Sequence, residues 1–116
     1  MTVVTVTAED RSSGSASFEI AAGADGSSRV RGALTFATAR RARAEGLEKF
    51  RQSGARACEV DCSGIALSDS AGLSVLLDWL ALAKRDGRSL RYTNLPKELL
   101  AIAKISEVEA LLQKGV

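Results

Sequence analysis

Histidine is absent from all 116 residues. That removes the commonest general acid/base and the commonest metal ligand, and with them any Ser-His-Asp or Cys-His arrangement. Aromatic residues make up only 4%, so aliphatic side chains and alanine must fill the core. Cysteine occurs twice, at Cys58 and Cys62. Four residues apart in one strand, their Cα atoms would stand roughly 13 Å apart, beyond the reach of a disulfide. They read as buried free thiols in a reducing compartment. No apolar run approaches the length of a bilayer span. The opening Met1-Thr2-Val3-Val4-Thr5-Val6 has no basic residues before it and soon meets Glu9, Asp10 and Arg11. It does not read as a signal peptide, and a cytoplasmic protein is expected. Walker-type phosphate loops and glycine-rich dinucleotide fingerprints are missing too. Asp61 and Asp69 flank one loop, but two carboxylates without further oxygen ligands fall short of a hard-cation site. Capping and loop hydrogen bonds are their simpler use. These absences together predict a protein that is not an enzyme and holds neither cofactor nor metal.

The residues that are present describe an ordinary globular domain, 46% hydrophobic and 26% charged. The length suits one domain with a real core. A net charge of +2 gives no electrostatic case for nucleic acid. Residues 1–15 end in Asp10-Arg11-Ser12-Ser13-Gly14-Ser15 and read as a flexible tail, although Val4 and Val6 could add a short edge strand. The folded domain is expected over residues 16–116. Ala16–Ala22 alternates Phe18 and Ile20 against Ser17 and Glu19, a strand pattern. A turn at 23–27 leads to a second strand over Ser28–Leu34, paired back as a hairpin.

Thr35 and Thr38 can both cap the next element, a helix from about Ala37 to Gln52 that turns Ala39, Ala42, Leu47 and Phe50 inward. Arg40, Arg41 and Arg43 cluster near its start. The default reading is a solvated face. The helix dipole nevertheless favours acids at that end, which leaves room for an anionic partner. Ser53-Gly54 ends the helix. A strand over Ala57–Cys62 has one apolar face (Cys58, Val60, Cys62) and one polar face (Glu59, Asp61), suggesting helices on a single side of a sheet. After a short loop comes a helix from about Ser70 to Asp86, then a strand over Leu90–Thr93. A helix from Pro96 to about Ile105 follows, with the chain's single proline suited to its first turn. A last short helix spans Glu107–Gln113.

The helix after Ser68-Asp69-Ser70-Ala71-Gly72-Leu73 organises the rest. Leu73, Leu76, Leu77, Leu80 and Ala83 form its core face, and Ser74, Asp78, Ala81 and Arg85 a polar face. Between them run Gly72, Val75, Trp79 and Leu82. The apolar arc is wider than one sheet contact needs, so either a neighbouring helix or a partner protein covers the extra stripe. Asp69 and Ser70 are preferred N-cap types. A hydroxyl at the positive end of a helix dipole suits a phosphate or a docking contact, and Gly72 allows another backbone or a partner surface to come close.

The order strand–strand–helix–strand–helix–strand–helix, with Val60-Asp61-Cys62-Ser63-Gly64 followed by Asp69-Ser70-Ala71-Gly72-Leu73, resembles the STAS family of anti-sigma-factor antagonists and sulphate-transporter tails. The likeness covers about Ala16 to Leu112. It implies an α/β fold, a mixed sheet of about four strands with helices mainly on one face. It also makes Ser70 the regulatory position, which in the antagonists is phosphorylated by a partner kinase. Gly32-Ala33-Leu34-Thr35-Phe36-Ala37-Thr38-Ala39, Leu76-Leu77-Asp78-Trp79 and Asn94-Leu95-Pro96 look most like the small STAS-only subunits of Mla-type phospholipid ABC transporters. Those subunits sit on the cytoplasmic ATPase at the inner membrane and serve outer-membrane lipid asymmetry. The Arg40-Arg41-Arg43 cluster departs from the family pattern. The resemblance implies a non-catalytic subunit whose partner is the ABC ATPase, or alternatively an anti-sigma-factor kinase, with no direct contact to membrane. A homodimer is open for the isolated chain. The expected contact residues are Asp69, Ser70, Ala71, Gly72, Leu73, Val75 and Trp79, with Ser70 the candidate phosphorylation site.

Overall fold

A computed structural model describes residues 17–23 and 25–116; the expected tail over 1–15 lies outside these. The elements in chain order are β1 (Phe18–Ala22), β2 (Ser27–Leu34), α1 (Ala39–Ser53), β3 (Ala57–Ser68), α2 (Ser70–Arg85), β4 (Ser89–Thr93), α3 (Lys97–Ile105) and α4 (Glu109–Lys114). The strands form one four-stranded sheet in the order β1-β2-β3-β4. The β1–β2 pair is antiparallel, while β2–β3 and β3–β4 are parallel. The parallel strands therefore all end on one side of the molecule, and the helices that follow them all start there.

Alternation along each strand builds the two faces. Phe18, Ile20, Val30, Val60, Cys62, Leu90 and Tyr92 point into the core with Leu73, Leu76, Leu80, Leu99 and Leu112 from the helices. The opposite face is polar and carries the ion pairs Arg29–Asp61 (3.4 Å) and Arg31–Glu19 (3.9 Å). Such exposed pairs add little stability; their use is to keep the open face wet. Cys58 and Cys62 are free and buried, and burial, with Asp61 nearby, pushes the Cys62 thiol up to about 12. Burial likewise raises the Tyr92 phenol, whose hydroxyl donates to the Leu76 carbonyl at 2.6 Å.

The third strand is longer than its alternation implies. It runs to Ser68 instead of ending near Cys62. Its second half pairs with the end of β2, through Gly32↔Ile65, Ala33↔Leu67 and Leu34↔Ser68, after register shifts between Arg29 and Arg31 and between Gly32 and Ala33. These irregularities break the period-two pattern. Gly64 fits where a Cβ would meet the Val30 carbonyl oxygen at 2.7 Å. At the other edge Val116 exchanges two backbone hydrogen bonds with Leu90 (3.0 and 3.3 Å), covering β4 with the C-terminal residue.

Asp61 lies on the polar face of β3. Its carboxylate accepts the Ser63 N–H at 2.9 Å and the Asn94 amide at 3.0 Å, and with Arg29 nearby its pKa falls to about 2. A carboxyl depressed in the folded state stabilises it above the unfolded pKa of about 3.9, and that contribution is lost as pH falls through the folded value. Urea midpoints are therefore expected to drop between about pH 4 and pH 2, with Asp61→Asn showing a shallower drop. Equal slopes for the two proteins would refute this assignment.

Candidate partner-docking site

The turn from β3 into α2 stands at the end of the sheet where the helices begin. Asp69 is in extended conformation and caps α2: Oδ1 accepts the Gly72 N–H at 3.1 Å. Its other oxygen, Oδ2, accepts the Phe36 N–H at 3.1 Å from the loop between β2 and α1. One carboxylate thus pins a helix start and a separate loop. Because Asp69 does the capping, Ser70 is released from it. Ser70 is exposed, and among the described residues no hydrogen bond engages its hydroxyl; only its carbonyl is used, accepting from Ser74 Oγ at 3.2 Å. The Asp69 carboxylate offsets the positive end of α2, whereas α1 carries no acid in its first turn and no side-chain cap, so its end keeps its positive character.

The β2–α1 loop is itself a built object. Thr38 occupies the N-cap position of α1 without making the capping bond expected of it. Its hydroxyl instead donates to the Ala33 carbonyl at 2.8 Å and accepts the Thr35 N–H at 3.1 Å, and Thr38 is 3% exposed. Between Thr35 and Thr38 the chain holds Phe36 outward, 85% exposed. Leu67, two residues before Asp69, is 52% exposed. Neither residue was among the expected contacts. The only signal for Phe36 was an aromatic residue in a loop, outside any apolar period.

Several expected contact residues are instead part of the core. Gly72, Leu73, Val75 and Trp79 are all buried, so in this fold no partner can reach them. A Cβ on Gly72 would lie 2.0 Å from the Leu34 carbonyl oxygen; the backbone that comes close is the chain's own. Trp79 is 0% exposed. Its ring meets Phe50 edge-on at 5.4 Å, lies 6.3 Å from Phe18, and donates from Nε1 to the Arg43 carbonyl at 3.2 Å. Helix α1 covers the extra stripe of α2. Of the expected set, Asp69, Ser70 and the half-buried Ala71 remain at or near the surface.

The arginine cluster divides by use. Arg41 donates to the Phe18 carbonyl at 2.9 Å and pairs with Glu45. Arg43 pairs with Asp78 of α2 at 3.0 Å. Both fasten α1 to its neighbours. Arg40 is exposed and without a partner among the described residues.

A family model described as "Mlab, STAS domain" matches residues 20–113. The chain belongs to the STAS domain family. Its fold is similar to the anti-sigma factor antagonist SpoIIAA in its unphosphorylated form, with a TM-score of 0.59, 14% identity, and coverage of 79% of this chain and 83% of that one. At that identity the likeness speaks for the fold. Comparison with curated proteins finds no match. Among the described residues no helix of this STAS domain is long and apolar enough to cross a membrane.

Proposed function

We propose that this STAS domain is a non-catalytic cytoplasmic subunit that binds and supports the ATPase of a phospholipid-transport ABC transporter of the Mla type. It would act at the inner membrane in the service of outer-membrane lipid asymmetry. The observation that carries the reading is the match of residues 20–113 to the Mlab-described family. An exposed hydroxyl turn beside an exposed aromatic loop supports it, because such a surface can add interface free energy without contributing chemistry. ATP and its metal would belong to the partner. Ser70→Glu places a charge on an exposed residue that caps nothing, so the fold should hold. Affinity for the co-expressed ATPase should fall roughly tenfold or more, read by co-purification yield and titration. An ATPase that binds Ser70→Glu as it binds wild type would count against this surface.

The uncommitted Ser70 hydroxyl also supports a second reading, an anti-sigma-factor antagonist switched by phosphorylation of Ser70. A phosphate there adds about −1.5 to −2 charge at a helix N-terminus, so the domain would stay folded while its docking surface changed sign. Incubation with an anti-sigma-factor kinase and ATP separates the two readings: phosphate on Ser70 favours the antagonist, and its absence favours the transporter subunit.

A further inference from the structure

We infer that Phe36 is the anchor of the docking surface, and that the partner it fits is a protein with an apolar pocket for the phenyl ring and carboxylates at the pocket's rim. The inference rests on the proposal that this end of the domain binds a partner protein, and it names what that partner must offer. Single exposed hydrophobic side chains are common on protein surfaces. Phe36 differs in how it is held. Its own N–H is bonded to Asp69, and the chain just before it is tied to Thr38, whose hydroxyl reaches both Thr35 and Ala33. The backbone that carries this 85% exposed ring is already held before binding, so less entropy is lost when a partner closes over it than for a free loop. Phenyl rings are enriched at interface centres.

Charge identifies the occupant. The surroundings combine the N-terminus of α1, which has no first-turn acid, with Arg40, exposed and unpaired among the described residues. The carboxylate nearest Phe36, that of Asp69, is committed to two backbone N–H groups. The rim is therefore electropositive, and its complement is acidic.

The test titrates wild type, Phe36→Ala and Arg40→Glu against the purified ATP-binding subunit of the same organism's phospholipid ABC transporter. Phe36→Ala should raise Kd roughly tenfold or more while leaving the melting temperature unchanged. Arg40→Glu should slow association and flatten its salt dependence. Wild-type affinity in Phe36→Ala would overturn the anchor while leaving the transporter reading intact. An unchanged association rate in Arg40→Glu would overturn the acidic rim. Failure of the wild type to bind the ATPase would remove the transporter reading and this inference with it. Should Phe36→Ala instead dissolve a wild-type homodimer seen by light scattering, the occupant is a second copy and the inference is wrong.

Discussion

Replacing Trp79 by alanine is expected to cost about 3–5 kcal/mol of folding free energy, the usual range for emptying a large aromatic site in a core. At roughly 4–8 °C per kcal/mol for a domain near this size, the thermal midpoint should fall by about 12 °C or more. The estimate follows from where the ring sits. It is fully buried under α1, packed edge-on against Phe50 and tilted against Phe18, and its N–H is satisfied by the Arg43 carbonyl. Truncation would leave a cavity, lose two aromatic contacts worth about 0.5–1.5 kcal/mol each beyond their area, and remove the bond from the indole to the Arg43 carbonyl. Against a total stability of about 5–15 kcal/mol, that loss approaches unfolding. Thermal and urea unfolding followed by circular dichroism measure it. A variant within about 1 kcal/mol of wild type would mean that α1 does not cover this stripe in solution.

The same residue shows what could be read from the sequence and what could not. The period of Leu73, Leu76, Leu77 and Leu80 fixes α2 and its core face. The alternation of Phe18/Ile20 and Cys58/Val60/Cys62 fixes two strands and the one-sided layering. Periodicity alone could not say whether the second stripe of α2, from Gly72 to Trp79, met a helix or a partner, since both bury apolar surface equally well. The deciding residue is Gly46. A glycine in the middle of a helix costs about 1 kcal/mol against alanine, and nothing in the local pattern of α1 explains it. A Cβ there would lie 2.3 Å from the Trp79 ring, so the glycine and the tryptophan fit each other across two helices. Such complementarity between distant positions carries no local signature. The far half of β3 was hidden for a related reason: register shifts against β2 interrupt the alternation from which a strand is read. Phe36 was hidden because a loop side chain belongs to no period, and only the bonds from Thr38 and Asp69 show that it is held in place.

Gly72→Ala joins the packing of the fold to the docking surface and is expected to destabilise by about 2–3 kcal/mol. In an open helix the change would gain up to about 1 kcal/mol. Here the new methyl would meet the Leu34 carbonyl oxygen at 2.0 Å and its carbon at 2.9 Å, whereas an ordinary carbon–oxygen approach is about 3.3–3.6 Å. The obstacle is the end of a buried strand, with Leu34 0% exposed, so no flexible side chain can swing aside, and overpacking of this kind costs about 1–3 kcal/mol or more. Relief comes only if the first turn of α2 lifts away from β2 by about 1 Å. That motion pulls apart the two hydrogen bonds Asp69 makes at once, to the Gly72 and Phe36 N–H groups. The variant should therefore melt earlier, and the Phe36 amide should exchange with solvent faster relative to amides in the centre of β3. Partner affinity should fall as well, because the ring and the Ser70 hydroxyl would no longer be held in one fixed geometry. Wild-type stability together with unchanged exchange at Phe36 would show that the close approach of α2 to β2 is not what holds this surface in place.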